Sequence, residues 1–164
     1  MTGCTYGGPA AVFHWADLHN LAPAIPPIEV LKVLPLCALV VRPLIDLPDP
    51  ESRVVAQVLP EREQIKVYYE VWTSVVRRGI PEKLRYHCGF SKLFGWPSLV
   101  QGDLDNLGEP DDHRGLRLLL ELDRYFNGTE GESWGPGGSL YFLIGDAELR
   151  ARQFDRCEFE MQCT

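Results

Sequence analysis

The hydrophobic pattern is clearest at the C-terminal end of the chain. Residues 140–144 are an apolar run of strand length, which predicts a buried strand. A short helix is predicted over 147–154, with Asp146 as the N-cap that accepts a backbone hydrogen bond. Over 156–163 apolar and polar residues alternate, which predicts a half-buried strand that pairs with an earlier one. The inward face would carry Cys157, Phe159, Met161 and Cys163, and the outward face Arg156, Glu158, Glu160 and Gln162.

Earlier apolar runs predict further strands. The run over 116–122 would place its four leucines, Leu116, Leu118, Leu120 and Leu122, on one face. Residues 53–59 are rich in β-branched side chains and residues 64–72 alternate, so we interpret 53–72 as a hairpin. Shorter strand-like runs occur at 36–41 and 97–101.

Length and composition indicate one globular domain over residues 1–164. Thirteen prolines and fifteen glycines favour short strands and many turns over long helices. Residues 1–35, where prolines recur, are expected to be irregular chain packed on the surface. The predicted fold class is therefore α+β and mostly β, with antiparallel sheets and a few short helices.

Charge and cysteine usage point to an acidic protein of the cytoplasm. Residues 1–100 carry 9 acidic and 10 basic side chains, whereas residues 101–164 carry 14 and 6. This acidity argues against a nucleic-acid-binding surface, and it suits either a basic partner or simple solubility. The five dispersed cysteines indicate reduced thiols, and neither a secretory signal nor a membrane-spanning run is seen.

Patterns typical of catalysis or of metal binding are incomplete. The acidic stretch 102–113 resembles a calcium loop at Asp103 and Asp105, but Leu107 and Arg114 stand where calcium ligands are needed. Cys88 follows a histidine, yet no base is identified that would activate it as a nucleophile. We therefore predict no catalytic residue, no metal and no cofactor.

Several segments carry a family resemblance. They are SKLFGWPSLVQGD, LRLLLELD, ESWGPGGSLYFLI and the final DAELRARQFDRCEFEMQC. In this order they resemble the YwqG-like family of bacterial proteins, a domain of unknown function. The matching positions lie in the C-terminal half: Lys92, Gly95, Trp96, Pro97, Gln101, Trp134, Gly135, Gly138, Phe154, Gln162 and Cys163. Ser91 and Pro136 depart from the pattern, where the family often has His and Asp.

The resemblance implies a fold and suggests a function. It implies antiparallel sheets in a roll-like arrangement with two structurally related halves and a few short helices. Members have no agreed activity, but they are often encoded beside secreted-toxin genes. An immunity protein, which neutralises a cognate toxin by binding it, is a recurrent suggestion for them.

An immunity role predicts a contact surface on this chain. A small acidic inhibitor would be steered to the basic cleft of a toxin such as a nuclease, and a buried aromatic would anchor it. We therefore predict binding through acidic loops near Trp134, without direct contact to nucleic acid or membrane. The candidate residues are Asp103, Asp105, Glu109, Asp111, Asp112, Glu130, Glu132 and Trp134. For Trp134, a core position is the competing interpretation.

Two other functions stay open. A small-ligand-binding protein or an uncharacterised enzyme would need a pocket, for which the region 86–101 is the best candidate. Its plausible lining is Tyr68, Tyr86, His87, Trp96 and Gln101. The other alternative is a scaffolding domain with no toxin partner. The oligomeric state is also open.

Overall fold

The computed structural model describes part of the chain. The described residues are 6–7 (backbone only), 41–78, 91–104, 115–123, 134 and 137–163, although the side chains of 77 and 78 are not described. The strand predicted over 36–41 falls outside these ranges except for residue 41, which lies in no regular element. Of the segment 1–35, predicted to be irregular, only residues 6–7 are described, and they form a short strand.

A five-stranded antiparallel sheet organises the described residues. The strands are β1 (Tyr6–Gly7), β2 (Lys92–Leu93), β3 (Leu116–Leu122), β4 (Ser139–Gly145) and β5 (Glu158–Gln162). Their order across the sheet is β1-β5-β4-β3-β2, and every pair is antiparallel. The helices of the described residues are α1 (Arg53–Val58), α2 (Arg62–Arg78) and α3 (Asp146–Ala151), with a 3-10 turn at Phe154–Arg156. The predicted α+β class with an antiparallel sheet and a few helices is confirmed.

The last strand closes the fold, as its pattern predicts. β5 pairs with β4 along its length, with Phe142 opposite Phe159, and with β1 through Tyr6 opposite Met161. The two phenylalanine rings are in contact, with centroids 5.4 Å apart. β5 is therefore an interior strand of the sheet.

A β-bulge in β3 changes which side chains share a face. The pairing with β4 shifts between Leu118 and Leu120, so that Leu118 lies opposite Leu143 but Glu121 lies opposite Tyr141. An extra residue in one strand reverses the alternation beyond it. The prediction that Leu116, Leu118, Leu120 and Leu122 share one face is therefore wrong: Glu121 joins Leu116 and Leu118, and the last two leucines face the other way.

The hairpin predicted over 53–72 is wrong, because both of its strands are helical. Ser52 caps α1 by accepting a hydrogen bond from the Val55 amide at 3.4 Å. Gln64 reaches back to the Glu61 amide at 3.3 Å, in the manner of a capping box at the start of α2. Ile65, Tyr68 and Trp72 lie on the half-buried side of α2, at the spacing of a helix, whereas Val67 and Val71 are exposed. The capping hydrogen bonds therefore favour helices here more strongly than the β-branched composition favours strands.

The segment between β4 and β5 is close to its prediction. The helix α3 begins one residue early, since Gly145 is its N-cap and Asp146 its first residue. It ends at Ala151, three residues before the predicted end, with Arg152 as a C-cap in a left-handed conformation with φ 57°, and the 3-10 turn follows. Asp146 makes no side-chain cap and instead forms an ion pair with Arg117 of β3.

The two faces of the sheet differ in what they bury. The apolar face is defined here by the side chains Leu140, Phe142, Ile144, Phe159, Met161 and Cys163, by the alternation along β4 and β5. The opposite face, called the clamp face, carries Leu118, Glu121, Tyr141, Leu143, Glu160 and Gln162. The irregular chain that follows β2 covers the clamp face, where Leu104 packs with Leu118 and Leu143. The strand predicted over 97–101 is therefore wrong.

Candidate functional site

Residues 96–102, the clamped segment, are bound to the clamp face through their backbone. Glu121 Oε2 accepts from the Ser98 amide at 3.0 Å. Gln162 Oε1 accepts from the Val100 amide at 3.0 Å and the Gln101 amide at 3.2 Å. The same Gln162 side chain donates through Nε2 to the Gly102 carbonyl at 3.0 Å. Buried side chains therefore replace the ladder that a neighbouring strand would supply.

Tyr141 and Asp46 complete this attachment. The Tyr141 hydroxyl donates to the Ser98 carbonyl at 2.6 Å, so both polar backbone groups of Ser98 are bound. Asp46 Oδ2 accepts from the Trp96 amide at 2.7 Å. Gly95 precedes it with φ 81°, and a Cβ at this position would overlap the Asp46 carboxylate. Glycine is therefore required here for two independent reasons.

A buried charge cluster lies where the clamped segment leaves β2. Lys92 Nζ lies 3.2 Å from Asp46 Oδ2 and 3.8 Å from Glu121 Oε2. The exposed fractions of the three side chains are 10% for Lys92, 12% for Asp46 and 0% for Glu121. Two carboxylates thus share one ammonium group away from water. The cluster carries one net negative charge when both carboxylates are ionised.

This environment changes the acidity of Glu121. Burial raises its pKa from 4.5 to about 7, although Lys92 and the Ser98 hydrogen bond oppose the change. The second oxygen, Oε1, has no hydrogen-bond partner among the described residues. Burial also raises the pKa of Tyr141, and the charge of Glu121 adds to the effect. Glu121 therefore changes its charge near neutral pH.

The charged and polar groups form one row across the sheet. Lys92 of β2 lies opposite Glu121 of β3, and Glu121 lies opposite Tyr141 of β4. Tyr141 in turn lies opposite Glu160 of β5. Residues opposite one another in antiparallel strands are close enough to interact directly. The β3 bulge is what brings Glu121 into this row, since regular alternation after Leu118 would turn it to the apolar face.

The predicted contact surface is described only in part. Asp103 accepts hydrogen bonds from the backbone and the guanidinium of Arg53 at the start of α1, and its side chain is 17% exposed. Trp134 is half-buried and forms a β-bridge with Gly138. A Cβ at Gly138 would overlap the Trp134 carbonyl oxygen, so this turn requires glycine. The other six positions, Asp105, Glu109, Asp111, Asp112, Glu130 and Glu132, lie outside the described residues.

Three of the five residues predicted to line a pocket are described, and they lie on two different segments. Tyr68 lies on α2 and donates to the Pro48 carbonyl at 2.7 Å. Trp96 and Gln101 lie in the clamped segment, where Trp96 is half-buried and Gln101 is exposed. Tyr86 and His87 fall outside the described residues.

The polar side chains that hold the clamped segment, Glu121, Tyr141 and Gln162, were not among the predicted site residues. The alternation predicts Gln162 on the face opposite Cys163, and this is confirmed. That face of a half-buried strand would be exposed, but Gln162 is 3% exposed because the clamped segment covers it. Glu121 interrupts a leucine run, and a charged residue in such a run is the signal that identifies it.

The two described cysteines behave as core residues. Cys163 is buried and Cys157 is half-buried. Burial raises the pKa of Cys157 to about 11, so its thiolate is scarce at neutral pH. Cys4, Cys37 and Cys88 lie outside the described residues.

Two exposed apolar side chains, Leu93 and Phe94, lie just before the clamped segment and are called the apolar corner here. Leu93 and Phe94, where β2 ends, are 61% and 49% exposed. Phe94 has φ 60°, a left-handed conformation that is rare for a bulky residue. Its amide is tied to the Leu119 carbonyl at 3.2 Å, in the bulged part of β3. The β3 bulge and the clamped segment therefore hold the Phe94 side chain at the surface on a strained backbone.

These features define an α+β protein whose sheet is covered on one face by an irregular segment tied to buried polar side chains. A family model described as a domain of unknown function (DUF1963) matches residues 30–163. The chain belongs to this family. No match is found among curated proteins.

In the part of the chain that the structure describes, no group of three or more His, Cys, Asp or Glu side chains is placed to hold a metal ion. Within the same ranges, no helix has both the length and the apolar character to cross a membrane.

Proposed function

We propose that this chain is a non-enzymatic protein-binding domain of the YwqG-like group, and that it acts as an immunity protein against a cognate toxin. The observation that carries the binding role is the attachment of residues 96–102 to the sheet. A surface segment fixed in this way loses little conformational freedom when a partner binds, so more of the contact energy appears as affinity. Binding surfaces are commonly irregular segments held by a rigid scaffold.

The apolar corner supplies the anchor that such a surface needs. Aromatic side chains that insert into a partner's pocket dominate the energy of many interfaces. Phe94 is half-exposed and is held in a backbone conformation that stability alone does not favour. Strain of this kind is typical of functional positions. Leu93 beside it extends the apolar surface.

The YwqG-like assignment is supported by where its motif residues lie. Lys92, Gly95 and Trp96 meet at Asp46, and Gln162 holds the clamped segment from β5. Gly138 is required at the turn that leads into β4. The residues that carry the resemblance are therefore parts of one structural unit.

The toxin as partner is supported by charge. The acidic excess of residues 101–164 would speed encounter with a basic toxin domain, such as a nuclease that binds nucleic acid. One observation argues against an enzymatic role. Glu121 has no exposed surface, so a substrate would reach it only after the clamped segment moved away. Its raised pKa and its neighbour Lys92 are the observations that favour the enzyme as second candidate.

Co-expression tests the immunity role. Where the neighbouring gene encodes a protein with a toxin-like C-terminal domain, that domain is produced with and without this protein, and survival and co-purification are measured. We expect rescue and a complex whose association rate falls as salt is raised. Reversing Asp111 and Asp112 to lysine should slow association at low salt. Absence of both rescue and complex with the neighbouring domain would contradict the immunity role.

Phe94→Asn tests the anchor separately from the fold. Asparagine tolerates a left-handed backbone, so the variant should be more stable by about 1 kcal/mol while its binding weakens at least about tenfold. The matched control is Val67→Asn at an exposed apolar position of α2, which should leave binding unchanged. Equal binding by Phe94→Asn and the control would remove the corner from the interface.

A further inference from the structure

The charge cluster has more carboxylates than it has positive partners. Asp46 and Glu121 approach the same Lys92 ammonium, at 3.2 Å and 3.8 Å. Glu121 has no exposed surface, and its Oε1 has no hydrogen-bond partner among the described residues. An ionised oxygen in this position would lack both water and a hydrogen-bond donor, which a neutral carboxyl tolerates better.

The groups that face Glu121 come from every element around it. Lys92 of β2 favours the ionised form, as does the Ser98 amide of the clamped segment. Asp123, at the end of β3, favours the neutral form. Tyr141 of β4 is the polar neighbour opposite Glu121, and Asp46 competes with Glu121 for Lys92. Removal from water exceeds the favourable contributions, so the pKa of Glu121 is raised and the closed structure keeps the proton up to about pH 7.

Glu121 is also a direct attachment point of the clamped segment. Its Oε2 accepts from Ser98, and Tyr141 binds the carbonyl of the same residue. When the segment lifts from the sheet, the carboxyl becomes hydrated and ionises readily. Opening therefore releases one proton to solvent, and closing takes up one proton.

We propose that Glu121, Lys92 and Asp46 form a proton-controlled latch, in which protonation of Glu121 holds residues 96–102 closed on the sheet and loss of that proton loosens them. The latch acts within the chain and needs no partner. It therefore stands or falls separately from the immunity role.

The strength of the latch follows the proton balance. In the opened segment Glu121 has its ordinary pKa of 4.5, and in the closed one a pKa of about 7. Between these values closing binds a proton that the open state lacks, so the closed state weakens as pH rises. The limit is about tenfold in the opening equilibrium per pH unit, and the effect levels off above the higher value.

Amide hydrogen exchange between pH 5 and 8 tests the latch in the intact chain. Protection of the Ser98, Val100 and Gln101 amides, corrected for intrinsic exchange rates, should fall by up to about tenfold per pH unit from about 5 to 7 and then level off. The variant Glu121→Gln keeps an acceptor for Ser98 but cannot ionise, so its protection should fall less steeply with pH than that of the wild type. Any slope that remains belongs to Asp49, which has a raised pKa and accepts a hydrogen bond from the backbone of Leu99 in the same segment. The control Glu158→Gln changes an exposed glutamate of β5 and should keep the wild-type slope.

Two results would overturn the latch. One is protection of these amides that stays constant between pH 5 and 7 in the wild type. The other is the same slope in Glu121→Gln as in the wild type. If Glu121→Gln does not fold, the carboxyl carbon of Glu121 is titrated by NMR in the wild-type chain. A midpoint in the ordinary range of an exposed glutamate would contradict the proposal, and one near 7 supports it.

Discussion

Both faces of the sheet bury apolar side chains, the clamp face through Leu104, Leu118 and Leu143, but the clamp face also holds a segment of backbone through buried polar side chains. On the apolar face, side chains such as Ile144 and Phe142 are removed from water and Phe142 contacts Phe159. On the clamp face, Gln162, Glu121 and Tyr141 are also buried, but they bind the backbone of an irregular segment. Apolar burial is strong and non-directional, whereas a buried hydrogen bond adds little net stability and a missing partner costs much.

The difference separates stability from specificity. Several apolar side chains of similar volume would satisfy the apolar face, because hydrophobic burial depends on area more than on direction. The clamp face accepts one path of the chain, because each amide from Ser98 to Gln101 that it binds meets a defined oxygen. The clamped segment that we propose for binding lies on the side with the directional contacts, whereas Leu93 lies opposite Leu120 on the apolar side.

The largest expected effect is on the apolar face. Ile144 is fully buried in β4, so Ile144→Ala should reduce the free energy of unfolding by about 2–5 kcal/mol. The loss should be the same at pH 5 and at pH 8, since no titratable group is removed. Urea unfolding at both values measures it, with the exposed Val67→Ala as control. A loss below about 1 kcal/mol would mean that this face does not form the main core.

The second effect is the pH dependence of the free energy of unfolding that Glu121, on the clamp face, produces. The folded-state pKa of Glu121 is raised from 4.5 to about 7, so the folded state holds an extra proton between these values. Stability should therefore fall as pH rises through this window, by about 3 kcal/mol in total, and then stay level. Burial raises the pKa of Asp49 as well, and its contribution has the same sign.

The variant Glu121→Gln isolates that contribution. It leaves Asp49 in place, so the difference between variant and wild type reports Glu121 alone. Urea unfolding at half-unit steps from pH 4.5 to 8 should show the wild type losing its stability relative to the variant across the window. Parallel curves would show that Glu121 has an ordinary pKa in the folded protein.

A somewhat smaller effect is expected from Gln162→Leu. The change keeps the volume but leaves the Val100 and Gln101 amides and the Gly102 carbonyl without their buried partner. We expect a loss of about 1–3 kcal/mol, limited because the segment can lift and become hydrated. Hydrogen exchange should show the loss of protection concentrated in residues 96–102. Gln101→Leu, at an exposed side chain, is the control and should change neither quantity.

The sheet was predictable from the sequence where an apolar run has the length of a strand or where a strict alternation occurs. The apolar runs over 116–122 and 140–144 identified β3 and β4, and the period of two near the C-terminus identified β5. The same rule failed over 64–72, where alternating valines and tyrosines concealed Ile65, Tyr68 and Trp72 at helical spacing. The capping residues Ser52 and Gln64 are the sequence signals that indicate helices in this region.

The clamp could not be derived in the same way. A bulge inserts one residue without any change in composition, so the leucine pattern could not show that Glu121 changes face after Leu118. Gln162 stands among the polar residues of an alternating strand, and only the three-dimensional path of residues 96–102 buries it. Contacts such as that between Asp46 and Trp96, fifty residues apart, leave no local pattern.

The smallest effect concerns an ion pair at the rim of the apolar face. Arg117 lies opposite Ile144, and its guanidinium binds Asp146 at the start of α3, with both side chains well exposed. Arg117 lowers the pKa of Asp146, so any stabilisation is lost as pH falls through that lowered value. Because solvent screens an exposed pair, the stabilisation is expected to be negligible.

Arg117→Gln removes this pair while keeping the aliphatic stem that lies beside Ile144. The pKa of Asp146, followed by NMR of its carboxyl carbon, should rise toward its ordinary value. The midpoint of thermal unfolding at pH 7 should move by no more than about 1 °C. The matched change in the buried cluster, Lys92→Gln, leaves Asp46 and Glu121 without their shared ammonium and should lower the midpoint far more. Equal shifts in the two variants would mean that burial does not distinguish the two ion pairs, and the contrast between the faces would then rest on hydrogen bonds alone.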